Sequence, residues 1–493
     1  MSFAVAGVVG LVLYLMSVAL LAEVARRARR GRSPADHFLA GRGLGTFVLF
    51  LTMYATAYSG NSLLGYPGEA YRRGFSWIMA TGFMLAIIVI FHLLVPRLRP
   101  LASAHGFVSP GDWIRHRFGG EPGSRALLIG VGALMSVALL NFLLAQLIAM
   151  GHVTAQITGG MVPYGAGVAG LAAAILVYET IGGMRAVAWT DALQGVLMLV
   201  GLGILLGWLL GEAGGIEGVT LRIAAARPEA VAVPGARECA YWASSTILMG
   251  VASVVYPQAI QRIFAAGSAA ALRRSLAMMS FMPLATTAVV TFVGLATIPL
   301  FAELGRVEAD TVMPRLLEEW GRSGTGPTVL AVLVFLGALA AIMSTADSVL
   351  LSLGSVIAGD ILGRSGTDER TTVIGKRAAT VLMAALVIVA LEPRITLWRL
   401  IELKMDVLIQ CAPAFLVAIH WSGMRARPAV TGIAVGTAIA AIGVIAGYDL
   451  VLGFHIGVAG MFVNVAIAVG GSLFARGAEA VPAAARSAAG RRG

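Results

Sequence analysis

The sequence predicts an all-α integral membrane protein with about 13 transmembrane helices, and three observations support this fold class. Hydrophobic residues make up 58% of the 493 positions and charged residues only 12%, whereas a soluble domain averages about 45–50% and about 25%. The mean hydropathy is +0.86. Apolar runs of roughly 20 residues, long enough to cross a bilayer as a helix, recur along the chain. Because these runs are continuous rather than alternating, they predict helices and not the strands of a barrel.

Hydropathy divides the chain into predicted spans separated by polar loops. Their bounds are 3–23, 45–70, 77–96, 125–150, 164–181, 189–211, 241–262, 277–302, 328–357, 377–391, 397–421, 429–447 and 456–475. The outer loop 212–240 is the longest and is expected to hold a short helix. Residues 1–476 are predicted to form one transmembrane domain with a core at about 45–421. The Ala- and Gly-rich residues 477–493 are predicted to be a disordered cytoplasmic tail.

The distribution of basic residues predicts the orientation of the spans. With the N-terminus outside, the inner loops hold 25 of the 36 Lys and Arg residues, Arg262 among them, and the outer loops hold ten. The remaining one, Lys404, falls inside a span. This bias follows the positive-inside rule and predicts a cytoplasmic C-terminus in the cell (inner) membrane. The net charge of +11 is therefore explained by topology, and the expected partner is the lipid bilayer, not nucleic acid.

Two of the predicted spans are interrupted by polar residues, glycine or proline. The second contains the run 54–62 (YATAYSGNS), and the seventh contains 244–246 (SST) and 256–258 (YPQ). Interrupted helices at corresponding places in two halves are typical of transporters with inverted repeats, which bind their solute at the break. Spans 2–6 and 7–11 are the predicted repeats. Glycine and proline are also common in membrane helices, so a packing role is the alternative for each of them.

The ninth span carries a pattern that suits a small hard cation. Ala341, Ser344 and Thr345 stand at i, i+3 and i+4 on one helix face, which stacks a carbonyl and two hydroxyls around one point. If the second span unwinds near residues 55–59, its freed carbonyls complete an oxygen site for sodium. The alternative is that Ser344 and Thr345 bond to their own helix and only pack against a neighbour.

Acidic residues inside spans are costly and point to function. Asp347 lies near the inner end of the ninth span and Asp191 opens the sixth. Either could belong to an ion exit path, a second cation site or a proton relay. An interfacial helix cap is the alternative for Asp191.

A second polar face recurs every four residues in the eleventh span. It holds Glu402, Asp406 and Gln410, with Lys404 nearby. This face could line an outer vestibule with Glu402 and Lys404 partly paired. Alternatively, it is an interfacial end whose charges reach water.

Five motifs, in order from the start of the second span to the ninth, make the chain recognisable. They are FLAGR (38–42), SGNSLLGYPG (59–68), GGMRAVAWTDALQG (182–195), PQAIQR (257–262) and MSTADS (343–348). With them the sequence resembles the sodium:solute symporter family, whose members share a five-plus-five inverted-repeat core. The resemblance covers nearly the whole chain.

The resemblance implies where the coupling ion, Na⁺, binds. The family's sodium site falls on the carbonyls of Ala55, Tyr58 and Ala341 and the hydroxyls of Ser344 and Thr345. Some members hold a second sodium near positions that match Asp191, Ser344, Asp347 and Ser348. Members that carry proline tend to have an acidic residue at the position of Ala57, so the alanine here disfavours proline as the solute.

The solute is expected beside the break in the second span. Its predicted contacts are Ser59, Asn61 and Ser62, facing Tyr256 and Gln258, with Asn141, Gln146 and Gln410 as further polar contributors. The predicted function is sodium-coupled symport of a small solute by alternating access, with an organic acid or an amino acid favoured. A proton-coupled symporter of the same fold is the alternative. No obligate protein partner is evident.

Other function classes fit the sequence less well. The chain has no HExxH motif, no metal-ligand cluster and no Gly-rich phosphate loop, so no enzyme is expected. Cys239 and Cys411 give neither a disulfide framework nor a zinc spacing. A channel would need a continuous polar pore or a repeated filter. A transporter-like sensor, which binds solute without moving it, usually carries a fused signalling domain, and flux would distinguish it.

Overall fold

The computed structural model describes residues 2–28, 31, 33–301, 304–363, 369–392 and 396–489, and they are predominantly helical. The α-helices in chain order are α1 Phe3–Arg27, α2 Pro34–Leu39, α3 Thr46–Ala57, α4 Tyr66–Arg73, α5 Met79–His105, α6 Pro110–Phe118, α7 Ser124–Ile157, α8 Tyr164–Ala213, α9 Gly215–Ala226, α10 Ala236–Ser253, α11 Pro257–Ala265, α12 Ala269–Met279, α13 Val289–Ala296, α14 Val312–Arg322, α15 Thr325–Ser355, α16 Glu369–Ala390, α17 Leu397–Leu408, α18 Ala418–His420, α19 Ala426–Ile445 and α20 Ile456–Ala489. A short antiparallel hairpin, β1 Leu450–Val451 and β2 Phe454–His455, precedes α20.

Short turns of other helical types join several of these helices. Wider π-type turns occupy Asn61–Gly65, Pro283–Ala288, Val356–Ile361 and Pro413–Val417. Tighter 3₁₀ turns occupy Ala40–Arg42, Gly74–Ile78, Pro228–Val231, Glu308–Thr311 and Ile409–Cys411. The helix α9 confirms the short helix expected in the outer loop 212–240.

The structure has the predicted all-α membrane architecture, but it does not confirm the count of thirteen spans. Within the described ranges, nine helical stretches are long and apolar enough to cross a membrane, and ten if the bent pair α10–α11 is one span. The nine are Phe3–Arg27, Asn61–His105, Ser124–Ile157, Tyr164–Glu212, Ala269–Ala296, Thr325–Ile361, Glu369–Ala390, Ala426–Ile445 and Ile456–Ala475. The count falls because some predicted spans are fused and others are broken into shorter helices.

The fifth and sixth predicted spans are fused in α8, which is interrupted only at Gly183. This residue has φ 60° and ψ −158°, a conformation that glycine tolerates and other residues do not. A Cβ here would also come within 2.4 Å of His37 Nδ1. Since the helix resumes directly after Gly183, Asp191 lies inside α8 and the predicted role as a helix cap is wrong.

Two spans are broken where the sequence predicted interruptions. Between α10 and α11 the axis bends by 50°, because Pro257 cannot continue the hydrogen-bonding ladder and the residue before a proline avoids helical geometry. Tyr256 accordingly has ψ 125°. In the second span, α3 ends at Ala57 and helical structure resumes at Gly60. A Cβ on Gly60 would lie 2.6 Å from Ile342, so glycine lets this break approach α15 closely.

The helix α15 is the central element of the fold. In its most apolar 18-residue window 83% of residues are buried, against 22% for α16, which lies at the periphery. Helices α3, α7, α8 and α16 pack around α15. Polar side chains on α15 are therefore held at the centre of the molecule, away from lipid.

The last helix, α20, continues to Ala489. The prediction that residues 477–493 form a disordered cytoplasmic tail stays a prediction. Residues 490–493 lie outside the described part of the chain.

Candidate functional site

The break in the second span faces α15 and brings four of the five predicted sodium ligands together. The Ser344 hydroxyl oxygen lies 2.9 Å from the carbonyl oxygens of both Ala55 and Ala341. The Thr345 hydroxyl oxygen lies 3.0 Å from Ala341 O and 3.5 Å from Ala55 O. All four residues are fully buried. We call this group of oxygens the neutral cluster.

The neutral cluster suits a small hard cation, which prefers oxygen ligands. Its carbonyls and hydroxyls carry no formal charge, and the hydroxyl protons bond to carbonyls when they are not displaced. The alternative, in which both hydroxyls bond only to their own helix, does not describe the structure fully. The Ser344 hydroxyl also lies within hydrogen-bonding distance of the Ala55 carbonyl on α3. Tyr58, the fifth predicted ligand, is where α3 ends, with φ −104° and ψ 91°, so its carbonyl leaves the helical direction.

One turn further along α15 lies a second group of polar residues, which contains charges. The guanidinium of Arg262 donates hydrogen bonds to Asp191 Oδ2 at 2.8 Å and to Ser348 Oγ at 2.5 Å. Its Nε donates to the Thr52 hydroxyl at 3.0 Å, and that hydroxyl donates to Asp191. We call this group, together with Asp347, the charged cluster.

The charged cluster corrects one prediction. Arg262, expected in an inner loop, has a side chain that is 1% exposed and ion-paired with Asp191. The possible second cation or proton site at Asp191, Asp347 and Ser348 stays a prediction, and the Arg262 guanidinium contacts two of its three residues. Arg262 takes this position because α11 turns inward after Pro257 and does not run out to the surface.

Asp347 occupies the far side of the charged cluster. Tyr178 donates a hydrogen bond to Asp347 Oδ2 at 2.6 Å, and Ser348 donates to Oδ1 at 3.1 Å. No Lys, Arg or His within the described ranges makes an ion pair with Asp347. This carboxyl group is thus bonded through hydroxyls on α8 and α15.

A cavity opens beside the break in the second span. Its accessible volume is about 90 Å³, and the space between its lining atoms, including the opening, is about 880 Å³. Most of the predicted solute-binding residues line it: Ser59, Asn61, Ser62, Tyr256 and Gln258. Because Tyr58 also lines the cavity, the same break contributes to the cavity and to the neutral cluster.

Several polar atoms around this cavity have no partner. Both polar atoms of the Asn61 side chain, Gln258 Oε1 and Ser253 Oγ are buried without a hydrogen bond in the described structure. Buried polar groups are normally satisfied, and these unpaired donors and acceptors lie on three elements around one cavity.

Three other predicted contributors lie outside the cavity lining. Gln146 accepts a hydrogen bond from the backbone N–H of Gly60 at 3.0 Å, so it holds the break and does not face the solute. Gln410 donates to Gly457 O at 2.8 Å, because that face of the eleventh span packs against α20. Asn141 is not a lining residue either; its neighbour Phe142 is.

The polar face of α17 is divided between two environments. Glu402 bonds to Tyr241 at 2.9 Å and pairs with Arg399, so the predicted pairing with Lys404 is wrong. Lys404 and Asp406 are 3% and 2% exposed, and the interpretation that they reach water at an interfacial end is also wrong. Lys404 lines the cavity instead, while Asp406 accepts a hydrogen bond from Gly457 N at 3.2 Å.

Asp310, which lies outside the membrane-spanning segments, forms an ionic group with two residues of α4. Arg72 donates hydrogen bonds to Glu69 at 2.6 Å and to Asp310 at 3.1 Å. Asp310 also accepts a bond from Leu397 N at 2.8 Å, which ties the start of α17 to this group. Burial raises the pKa of Asp310 to about 6, although the Arg72 guanidinium opposes this shift.

The functional residues that sequence analysis missed are Thr52, Ser253 and Arg262, together with the position of Lys404 in the cavity. The sequence contains one pattern that points to the position of Arg262: it stands four residues after Gln258, on the same helix face. In the structure the Arg262 side chain donates a hydrogen bond to Gln258 O at 3.1 Å. Its partner Asp191 is 71 positions earlier in the chain, which no local pattern reveals.

Comparisons with known proteins cover nearly the whole chain. The chain is 25% identical over 459 residues to the sodium/pantothenate symporter of Escherichia coli (strain K12), covering 90% of this chain and 92% of that protein. It is 28% identical over 472 residues to the sodium/proline symporter of the same organism, covering 91% of each.

The fold matches that of a solved transporter, and the sequence matches a family. A Na⁺-coupled sialic acid symporter in a substrate-bound outward-open state aligns with a TM-score of 0.77 at 19% identity, covering 96% of this chain and 98% of that chain, which shows the shared fold. Residues 37–436 match the sequence profile of the Sodium:solute symporter family. The chain therefore belongs to the Sodium:solute symporter family, in which sodium is the coupling ion.

Proposed function

We propose that the protein is a secondary active symporter that imports a small solute together with sodium by alternating access. The observation that carries the proposal is the shared break in the second span. Ala55 at this break faces Ser344 and Thr345 on α15, and Tyr58 and Ser59 line the adjacent cavity. An ion and a solute bound there would order the same piece of backbone.

Coupling follows from this shared element. Sodium in the neutral cluster would hold α3 against α15, and a ligand shifts a conformational equilibrium only by its differential affinity for the two states. If sodium tightens solute binding by some factor, the solute tightens sodium binding by the same factor. An inward sodium gradient would drive uptake from the outside to the cytoplasm, and the arrangement of basic loops supports an outer N-terminus.

The proposed solute is a small organic acid or amino acid. The two Escherichia coli relatives are named for pantothenate and proline, so membership of the family leaves the solute open. The unpaired polar atoms of Asn61, Ser253 and Gln258 are the proposed hydrogen-bonding contacts.

The test is thermal unfolding of the detergent-purified protein in sodium, potassium or choline chloride at equal ionic strength. A ligand that binds only the folded state stabilises it by mass action. We expect sodium to raise the unfolding midpoint of the wild type by several degrees more than potassium or choline, and the Ser344→Ala/Thr345→Ala variant to lose this difference.

Ser136→Ala is the matched control variant. Ser136 is a buried helical serine that bonds to its own helix at Gly132 O, 2.8 Å away, and lies outside the neutral cluster. This variant should keep the sodium response. A wild type without any sodium-specific shift would contradict the proposal.

Proton coupling is the second candidate, favoured by Asp347. This carboxyl group is fully buried and is bonded through the hydroxyls of Tyr178 and Ser348. If the wild type responds to pH but not to sodium, and Asp347→Asn removes solute accumulation driven by a pH gradient, this mechanism replaces sodium coupling. Binding without flux in proteoliposomes would instead identify a sensor.

A further inference from the structure

The cavity beside the second span contains a lysine without a counter-ion. Its lining has two charged residues, Arg262 and Lys404, and no acidic one. Arg262 is neutralised by Asp191 at 2.8 Å. Lys404 has no hydrogen bond or ion pair anywhere in the described ranges.

The neighbours of Lys404 are aromatic rings. Its Nζ lies 3.0 Å from the ring centroid of Phe142 and 5.3 Å from that of Tyr256, and these two rings stack on each other with centroids 5.6 Å apart. A cation over a ring face gains some stabilisation, but an ammonium group has three N–H donors, and rings do not satisfy them as an oxygen would.

The acidic residues on the same helix are directed elsewhere. Glu402, two residues before Lys404, bonds to Tyr241 and Arg399, and Asp406, two residues after it, bonds to Gly457. Residues two apart on a helix do not face each other. The counter-ion of Lys404 is therefore not supplied by α17.

A buried lysine without a counter-ion is costly to charge, and an ionisable residue inside a membrane protein marks a functional site. We propose that Lys404 binds the carboxylate of the solute, and that the transported class is small monocarboxylates with an apolar body. This inference rests on the proposed symport function and names its solute class.

The rest of the cavity defines the body of that solute. The lining beyond the polar groups is largely methionine, isoleucine and aromatic residues, such as Met84, Ile88 and Phe91. Asn61, Gln258 and Ser253 offer unpaired polar atoms for a hydroxyl, keto or amide group. A single lysine balances one negative charge, which favours monoanions over dianions. Since no acidic side chain lines the cavity, the ammonium of an amino acid would meet only Lys404 and neutral groups. The geometry therefore favours organic acids over amino acids.

The test compares acids with their neutral amides. Purified full-length protein in saturating sodium is titrated with acetate, butyrate, lactate and phenylacetate, and with the corresponding primary amides, while the unfolding midpoint is measured. We expect at least one acid to stabilise the wild type at a concentration ~10-fold or more below its amide, because a hydrogen bond to a charged group is lost in the amide.

Variants test whether Lys404 causes the preference for an acid over its amide. Lys404→Met should bring the acid and its amide to equal potency, and Lys404→Arg should keep most of the preference. The other lysine of the chain, Lys376, lies on α16 outside the cavity, so Lys376→Met should behave as the wild type does. Retention of the sodium-induced shift in Lys404→Met checks that this variant is folded.

The outcomes separate the two proposals. If sodium stabilises the wild type but no acid exceeds its amide, or if Lys404→Met keeps the preference, the role of Lys404 is overturned while sodium symport stands. If sodium has no effect but an acid preference depends on Lys404, the symport proposal fails and the carboxylate site stands. Should Lys404→Met fail to fold, the wild-type comparison together with Lys404→Arg decides.

Discussion

The neutral and charged clusters lie one turn apart on α15, and both are buried against the same break-bearing helix. The neutral cluster combines Ser344 and Thr345 with the Ala55 carbonyl and has no formal charge. The charged cluster combines Ser348 with Asp191 and Arg262. Along α15 there is thus one group of neutral oxygens, proposed to bind sodium, and one group that contains a guanidinium from α11 and a carboxylate from α8.

Electrostatics explains this difference. Without an ion, the hydroxyls of the neutral cluster still bond to carbonyls, so the empty site costs little. A buried carboxylate without a partner costs several kcal/mol; Arg262 offsets this cost for Asp191, whereas Asp347 is bonded only through hydroxyls. We therefore propose that the neutral cluster exchanges sodium and that the charged cluster supports the structure.

The largest expected effect is on stability and concerns the ion pair between Arg262 and Asp191. Arg262→Met leaves Asp191 buried and unpaired, and breaking a buried pair in this way typically costs about 3–5 kcal/mol. We expect a strongly lowered unfolding midpoint for this variant. The double variant Asp191→Asn/Arg262→Met should recover part of the loss, because no carboxylate is left uncompensated. If the single variant is as stable as the wild type, the charged cluster is not a structural element.

Asp310, the carboxylate bonded to Arg72 of α4, should give the next largest effect. Asp310 is paired with Arg72, yet burial raises its pKa to about 6. The folded protein then holds this proton more tightly than the unfolded chain, so stability falls as the pH rises from about 4 to about 6 and is constant above.

The measurement for this prediction is the unfolding midpoint as a function of pH. The shift corresponds to about 3 kcal/mol at most, from 1.36 kcal/mol per pKa unit. Asp310→Asn should flatten the curve between pH 4 and pH 6 relative to the wild type. An identical slope in the two proteins would show that Asp310 does not titrate in this window.

The smallest effect concerns the neutral cluster itself. Thr345→Ala removes one oxygen ligand, and we expect sodium activation of uptake in proteoliposomes to require ~10-fold more sodium, which corresponds to about 1.4 kcal/mol. The solute concentration for half-maximal uptake at saturating sodium should change much less. Ser348→Ala, one turn away in the charged cluster, serves as the matched comparison and should leave sodium activation within ~2-fold. Equal losses of sodium activation in both variants would show that the two clusters do not differ in sodium binding.

What could be predicted from the sequence depends on whether a contact is local. Ala341, Ser344 and Thr345 share a helix face because helical periodicity fixes it, and the breaks before Pro257 and after Ala57 follow from residue chemistry. Arg262 could not be placed, because a hydropathy window treats an arginine at a span end as a loop residue and cannot detect Asp191 on another helix. Gln410 was misplaced for the same reason: its partner Gly457 is on α20.

The absence of a carboxylate from the neutral cluster has an electrical consequence. A sodium ion that enters this cluster brings one uncompensated elementary charge into the membrane, and moving it across is worth about 2.3 kcal/mol per 100 mV. A monocarboxylate carried with one sodium ion would cancel that charge, and uptake would then draw no current. With two sodium ions, each cycle would move one positive charge inward. The current that accompanies uptake would therefore count the sodium ions carried with each solute molecule.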